Sequence, residues 1–114
     1  MNFGSVPTVG VDALTPESFL LDVRENDEWT AGHAQGALHI PMSEFVPRFG
    51  ELTEALPDGA TVHVLCRVGG RSAQVTQYLV GQGIDAVNVA GGMQDWEARG
   101  REVVVDGGGA GVVI

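Results

Sequence analysis

The single cysteine of the sequence lies among residue types that make a sulfur atom reactive. Cys66 follows an apolar, β-branched run at 61–65 that predicts a buried strand. A Gly-Gly turn then leads into a pattern of apolar residues that predicts a helix over 72–80, with Ser72 as a candidate N-cap. Backbone N–H groups converging at such a turn, together with a helix N-terminus, favour the thiolate and attract anions.

Two of the six basic residues, Arg67 and Arg71, fall in this turn. A lone cysteine after an apolar strand is more often a buried small hydrophobic residue. The arginines favour a reactive site instead, because cations are unfavourable at a helix N-terminus unless they face an anion. The candidate site therefore consists of the nucleophile Cys66 and an anion-binding loop formed by Arg67, Val68, Gly69, Gly70, Arg71 and Ser72.

The composition excludes several functional classes. A net charge of −9 over 114 residues argues against binding to nucleic acid or anionic membranes, whereas a local cluster of arginines suits a small anion. No apolar run approaches the roughly 18 residues of a membrane span, and the segment 1–5 lacks signal-peptide features. The scattered His and Cys residues give no zinc spacing. We expect a cytoplasmic protein without metal, cofactor or internal disulfide.

Short predicted strands alternate with short helices along the chain. Strands are predicted near 8–9 and at 19–24, 37–40, 61–65 and 86–89. Helices are predicted to start at 15–18 and to cover 25–32, 43–56, 72–80 and 93–99. This alternation predicts an α/β fold with a mostly parallel sheet of about five strands and helices on both faces. We expect one domain over 1–105, followed by a flexible glycine-rich tail at 106–114.

Charged and aromatic-ring residues elsewhere in the chain have weaker signals. Asp22 and Arg24 close a predicted strand, where sites form in α/β sheets. They are either a local structural pair or a support for the cysteine loop, and the sequence leaves both interpretations open. His33, His39 and His63 are expected to make structural hydrogen bonds, because a general base must reach the nucleophile to act.

Four stretches in this order resemble the rhodanese family of sulfurtransferases in its single-domain form. They are residues 20–33, residues 36–41, the loop 66–72, and Gly91-Gly92 with Trp96. The resemblance covers roughly residues 8 to 105 and implies a rhodanese-like three-layer fold. The glycine-rich tail has no counterpart in the family pattern.

The resemblance implies a persulfide mechanism at Cys66. The thiolate would take a sulfane sulfur from thiosulfate or a persulfide donor and pass it to cyanide or to a thiol. Arg67 and Arg71 would orient the small anionic donor. The implied acceptors are a small thiol, a thioredoxin-like protein or a biosynthetic sulfur acceptor. An arginine directly after the cysteine resembles the thiosulfate-using members, while mercaptopyruvate-using members tend to have glycine there.

Two alternative functions remain at this stage. One is a non-catalytic or complex-dedicated rhodanese-like module that carries sulfur or docks a partner. The other is a phosphatase or arsenate reductase, which is less consistent with the sequence. The loop of those relatives has the form Cys-x5-Arg, whereas Cys66 and Arg71 form a shorter Cys-x4-Arg loop. Arsenate reduction also needs a second cysteine, which this sequence lacks.

Overall fold

A computed structural model describes residues 6–114, and the segment on which the signal-peptide expectation rests lies outside this range. Its centre is a parallel sheet of five strands in the order β1-β5-β4-β2-β3. The strands are β1 (Thr8–Gly10), β2 (Phe19–Asp22), β3 (Leu38–His39), β4 (Val62–Leu65) and β5 (Ala86–Ala90). The predicted α/β class and five-stranded parallel sheet are confirmed.

Helices and short 3-10 turns connect the strands. The helices are α1 (Asn26–Ala31), α2 (Phe49–Ala55), α3 (Gly70–Gly81) and α4 (Gly92–Ala98). The 3-10 turns span Val11–Ala13 and Met42–Glu44. From Val6 to Ile114, no helix is both long and apolar enough to cross a membrane.

The sheet separates two apolar cores because successive strand side chains point to opposite faces. One core joins the sheet to α2 and α3, and its buried members include Leu21, Val62, Val64, Leu52, Val75 and Leu79. The other joins the sheet to α4 and the first 3-10 turn, and its buried members include Val11, Leu14, Leu65, Val89 and Met93. The chain therefore forms three layers, with helices on both faces of the sheet.

The strand order creates a crevice at the carboxyl ends of β2 and β4. These strands are neighbours, but β2 continues through α1 to β3 on one side, while β4 continues through α3 to β5 on the other. The loops after β2 and β4 therefore diverge, and parallel α/β sheets place binding sites at such a point. Cys66 directly follows β4 at this edge.

The helix predicted to start at 15–18 is absent from the structure. These residues instead form a turn in which Ser18 N–H donates to the Thr15 carbonyl at 3.0 Å. Thr15 N–H donates to the Ser18 hydroxyl, also at 3.0 Å. Because β2 begins at Phe19, there is no room for a helical turn, and the capping residues close the reverse turn instead.

The tail at 106–114 folds back onto the domain. Gly111 N–H donates to the Val103 carbonyl at 2.8 Å, and Val112 N–H donates to the Ala31 carbonyl at 2.9 Å. Close backbone approach makes this possible, because a Cβ on Gly111 would lie only 2.8 Å from the Gly32 Cα. The tail is therefore a packed segment in this structure, while its flexibility in solution stays a prediction.

Candidate active site

The cysteine loop is held from below by the N-terminus of α4. Met93 N–H donates to the Cys66 carbonyl at 2.8 Å, and Gln94 N–H donates to the Arg67 carbonyl at 2.9 Å. In a trans peptide the N–H points opposite to the carbonyl, so the N–H groups of Arg67 and Val68 face the other side of the loop. The α4 contacts thus orient the N–H groups of Arg67 and Val68 away from α4.

Glycine is required where α4 meets this loop. A Cβ on Gly92 would lie 2.3 Å from the Cys66 carbonyl oxygen and 2.8 Å from the Arg67 carbonyl oxygen. The backbone of Gly92 also has a φ of 50°, and that of Gly91 a φ of 81°, both in the left-handed region. The Gly-Gly pair of the sequence therefore allows the close approach that fixes the loop.

The thiol lies at the base of the loop, with Cys66 only 1% exposed. Gly69 N–H donates to Cys66 Sγ at 3.0 Å, and the Ser72 hydroxyl lies 3.2 Å from the same sulfur. The prediction that Ser72 caps α3 is wrong: the helix begins at Gly70, and Gly69 is the N-cap with a φ of 122°. Ser72 instead points its buried side chain at the thiol.

Asn88 on β5 joins this group and was not recognised in the sequence. The Ser72 hydroxyl donates to Asn88 Oδ1 at 2.6 Å, and Asn88 Nδ2 donates to the Gly69 carbonyl at 3.3 Å. Asn88 is 2% exposed, and an amide in an otherwise apolar strand is the signal that could have revealed it.

Arg71 reaches across the crevice to Glu28 on α1. Its two terminal nitrogens donate to the two carboxylate oxygens at 2.7 and 2.9 Å, a bidentate pair. The hydrogen bonds from Arg71 hold the pKa of Glu28 below its usual range, and Glu28 in turn raises the pKa of Arg71. Arg71 already has an anionic partner, which the sequence interpretation did not include.

Arg67 has a different environment from Arg71. Its Nε donates to the Ile114 carbonyl of the tail at 3.1 Å. Within residues 6–114, Arg67 forms no ion pair with a carboxylate side chain. The other predicted loop residues are close by: Val68 is 54% exposed beside it, and Gly70 begins α3.

Asp22 and Arg24 form a fully buried ion pair at 2.8 Å beside the crevice. The Arg24 guanidinium also donates to the carbonyls of Glu28 and Gly32, at 3.4 and 2.8 Å. In the described part of the chain, its side-chain hydrogen bonds go to α1 and Asp22 rather than to the cysteine loop. This pair positions the helix that carries Glu28.

The histidines are engaged in contacts away from the thiol. A ring nitrogen of His33 lies 2.8 Å from the Trp29 carbonyl oxygen, and one of His39 lies 2.7 Å from the Arg24 carbonyl oxygen. Both imidazoles stack on the Trp29 indole, with centroid distances of 3.6 and 4.5 Å. Among residues 6–114, no group of three His, Cys, Asp or Glu side chains is arranged to hold a metal ion.

Comparison with known proteins agrees with this arrangement. The family model for the rhodanese-like domain matches residues 11–99, which include the strand–loop–helix around Cys66. The chain belongs to the rhodanese family. The match includes all nine predicted site residues, and the predicted family resemblance is confirmed.

Individual relatives of this rhodanese-like chain have names related to sulfur transfer. The putative sulfurtransferase YtwF of Bacillus subtilis is 42% identical over 83 residues, covering 73% of this chain and 77% of that protein. The putative sulfur carrier protein YrkF of the same organism is 33% identical over 105 residues, covering 86% of this chain. This chain spans only 55% of the length of YrkF.

A solved structure has the same fold. The rhodanese-like domain protein from Staphylococcus aureus superimposes with a TM-score of 0.66 at 30% identity. The superposition covers 79% of this chain and 90% of that chain. The rhodanese-like fold predicted from the sequence is thereby confirmed.

Proposed function

We propose that this rhodanese-like chain is a sulfurtransferase that carries a sulfane sulfur as a persulfide on Cys66. The observation that carries the proposal is the hydrogen bond from Gly69 N–H to Cys66 Sγ at the N-terminus of α3. A donor in this position, with the partial positive charge of a 12-residue helix, stabilises negative charge on sulfur.

The first half-reaction loads Cys66 from thiosulfate or a persulfide donor. With thiosulfate, the Cys66 thiolate attacks the outer sulfur, the sulfur–sulfur bond of thiosulfate breaks, and its electron pair leaves with sulfite. The attacking and leaving groups are both anionic, so a nearby cation lowers the barrier. Arg67 supplies that cation in our proposal, because Arg71 is already neutralised by Glu28.

The second half-reaction discharges the persulfide. A thiol, or cyanide in an assay, attacks the outer sulfur, and the electron pair of the breaking bond returns to Cys66 Sγ. Until then the anionic outer sulfur needs donors, and the N–H groups of Arg67 and Val68 face the side of the loop away from α4. A small thiol, a thioredoxin-like protein or a biosynthetic acceptor fits this step equally well.

The mass of the intact protein tests the proposal. The wild type is measured before and after exposure to thiosulfate, alongside Cys66→Ser. We expect a gain of one sulfur atom that cyanide removes and that the variant does not acquire. Because the chain has a single cysteine, the added sulfur can be assigned without mapping. A wild type that loads from neither thiosulfate nor a persulfide donor would contradict the proposal.

A complex-dedicated sulfur carrier is the second candidate. Two observations favour it: Cys66 is 1% exposed, and the tail occupies Arg67. The sulfur carrier name of YrkF is consistent with it as well. A carrier would load from a protein persulfide but would turn over thiosulfate and cyanide slowly. A phosphatase is disfavoured, because the Glu28 carboxylate occupies the loop arginine that would bind a phosphoryl group.

A further inference from the structure

The Cys66 thiol, two side chains and the backbone of Gly69 form a closed ring of hydrogen bonds. Gly69 N–H donates to Cys66 Sγ, which lies 3.2 Å from the Ser72 hydroxyl. Ser72 then donates to Asn88 Oδ1 at 2.6 Å, and Asn88 Nδ2 donates to the Gly69 carbonyl at 3.3 Å. All four residues are buried, so the side chains of Cys66, Ser72 and Asn88 depend on this ring for hydrogen-bond partners.

The direction of this ring is fixed by Asn88. The Gly69 carbonyl only accepts hydrogen bonds, so the amide nitrogen of Asn88 faces it and the amide oxygen faces Ser72. That oxygen also only accepts, so it takes the single hydroxyl hydrogen of Ser72. The lone pairs of Ser72 Oγ are left to face Cys66 Sγ, where they accept a hydrogen bond from the thiol.

This hydrogen-bond arrangement is complete when Cys66 is a protonated thiol, and it disfavours the thiolate. After ionisation, the Ser72 lone pairs face a negative sulfur unless the hydroxyl rotates toward it. Rotation deprives Asn88 Oδ1 of its donor, although every buried side-chain nitrogen and oxygen among residues 6–114 has a partner in the present arrangement. Asn88 and the thiolate therefore compete for one hydroxyl hydrogen.

We propose that Asn88 is a positioning residue that sets the ionisation of Cys66 by holding the Ser72 hydroxyl away from the sulfur. Ser72 touches the reacting atom, and Asn88 acts only through it. In the sulfur-transfer cycle proposed above, on which this role rests, Ser72 turns to donate to Sγ when the electron pair of the persulfide bond returns there. The same atom thus accepts from the thiol and donates to the leaving thiolate.

Other charged groups lie near the thiol, and they are the same in the wild type and in the Asn88 variants used below to test the proposal. The pKa of Arg71 is raised chiefly by its hydrogen bonds to Glu28 and to a smaller extent by the nearby Cys66, so Arg71 and Cys66 are electrostatically linked. The charged groups around the crevice are Arg67 in the loop, Arg71 on α3, Glu28 on α1, and the Asp22–Arg24 pair after β2. Their contributions cancel when variants of Asn88 are compared with the wild type.

The test is a double-mutant cycle read by the pH dependence of cysteine alkylation by iodoacetamide. Cys66 is the only cysteine, so the alkylation rate of the full chain reports on it alone. Asn88→Leu keeps the branched shape of the side chain and removes the acceptor, and Asn88→Ala provides a smaller second variant. Each is compared in the wild-type background and in Ser72→Ala. The Gly69 carbonyl keeps a donor in both variants, namely Ala73 N–H.

We expect either Asn88 variant to lower the pH of half-maximal alkylation by about one unit, a tenfold gain in thiolate at a given pH. In the Ser72→Ala background, we expect no further change from either variant. Thr76→Val is the matched control, because it removes a buried hydroxyl on the same helix that bonds the Ser72 carbonyl rather than the thiol.

An unchanged or raised half-maximal pH in the Asn88 variants would overturn the proposal. An equal shift with and without Ser72 would also overturn it, because a general loosening of the loop acts in both backgrounds. The measurement uses no sulfur donor, so its failure is distinguishable from a failure of persulfide loading. If Asn88→Ala does not fold, the Asn88→Leu titration decides the outcome.

Discussion

The packing of the tail against the domain predicts that Gly111→Ala releases Arg67. Gly111 is not among the glycines with a positive φ, so alanine has no difficulty with its backbone conformation. Its Cβ, however, would lie 2.8 Å from the Gly32 Cα, 2.9 Å from the Ala31 carbonyl oxygen and 3.0 Å from the Val104 carbonyl oxygen. All three neighbours are backbone atoms that cannot rotate away.

The energies involved favour opening of the tail. Forcing a methyl group into such a contact typically destabilises by about 1–3 kcal/mol. The opposing hydrogen bonds of Gly111, Val112 and Val113 to the domain contribute a net of about 0.5–1.5 kcal/mol each. The two quantities are similar, so a large fraction of the molecules should lose these bonds, and with them the contact of Ile114 with Arg67.

Amide exchange and steady-state kinetics measure the two consequences. We expect the Val112 amide, which is bonded to the Ala31 carbonyl, to exchange faster in Gly111→Ala. An exposed ion pair, such as one between a freed Arg67 and thiosulfate, is worth about 0.2–1 kcal/mol, so the KM for thiosulfate should fall by about 1.4- to 5-fold. Gly109→Ala is the control, since its Cβ would meet only a Val105 methyl group at 3.4 Å. Protection of Val112 as strong as in the wild type would refute the reasoning.

Two further predictions concern the ion pairs beside the crevice. Asp22→Ala leaves Arg24 charged and buried without its carboxylate partner. We therefore expect the free energy of unfolding, measured by urea denaturation, to fall by about 3–5 kcal/mol. A fall of less than about 1 kcal/mol would contradict this expectation. Arg71 holds the pKa of Glu28 below 4.5, so the pair stabilises fully above that pH and is lost as pH falls through the lower folded-state value. Glu28→Gln should therefore weaken the fall in stability below about pH 4.5, and identical pH profiles would refute it.

Local patterns in the sequence predicted the part of the fold that carries the nucleophile. The run at 61–65 and the apolar spacing after Ser72 each occupy one continuous segment, so strand, loop and helix follow from neighbouring residues. The parallel sheet followed from the alternation of strands and helices. The N-cap at Ser72 failed because glycine at position 69 allows the left-handed conformation that starts the helix earlier.

Contacts between distant residues were beyond the sequence patterns. Arg71 and Glu28 are separated by 43 residues and meet only because β2 and β4 are neighbours in the sheet. Asn88 reaches Ser72 on α3 from strand β5, so its polar position gave no indication of its partner. The tail docks through the close approach of Gly32 and Gly111, which no periodicity encodes.

The acidic character of the chain makes the few unpaired cations informative. Arg24, Arg48, Arg71 and Arg99 each bind a carboxylate. A chain of net charge −9 repels a small anionic donor at long range, so capture depends on short-range contacts at the loop. In the proposed function Arg67 offers that contact, and the tail carbonyl of Ile114 would compete with the donor for it.

Two separate contacts therefore restrain the resting site, and they act on different steps. The tail engages Arg67 at the start of the loop, and in the proposed function this contact hinders binding of an anionic donor. Asn88 engages Ser72 at the end of the loop, and the proposed role of this contact is to hold the Ser72 hydroxyl away from the sulfur. The two contacts share no atoms. Releasing the tail should therefore change the KM for the donor and leave the pH of half-maximal alkylation unchanged. Replacing Asn88 should shift the pH of half-maximal alkylation and leave the KM for the donor unchanged.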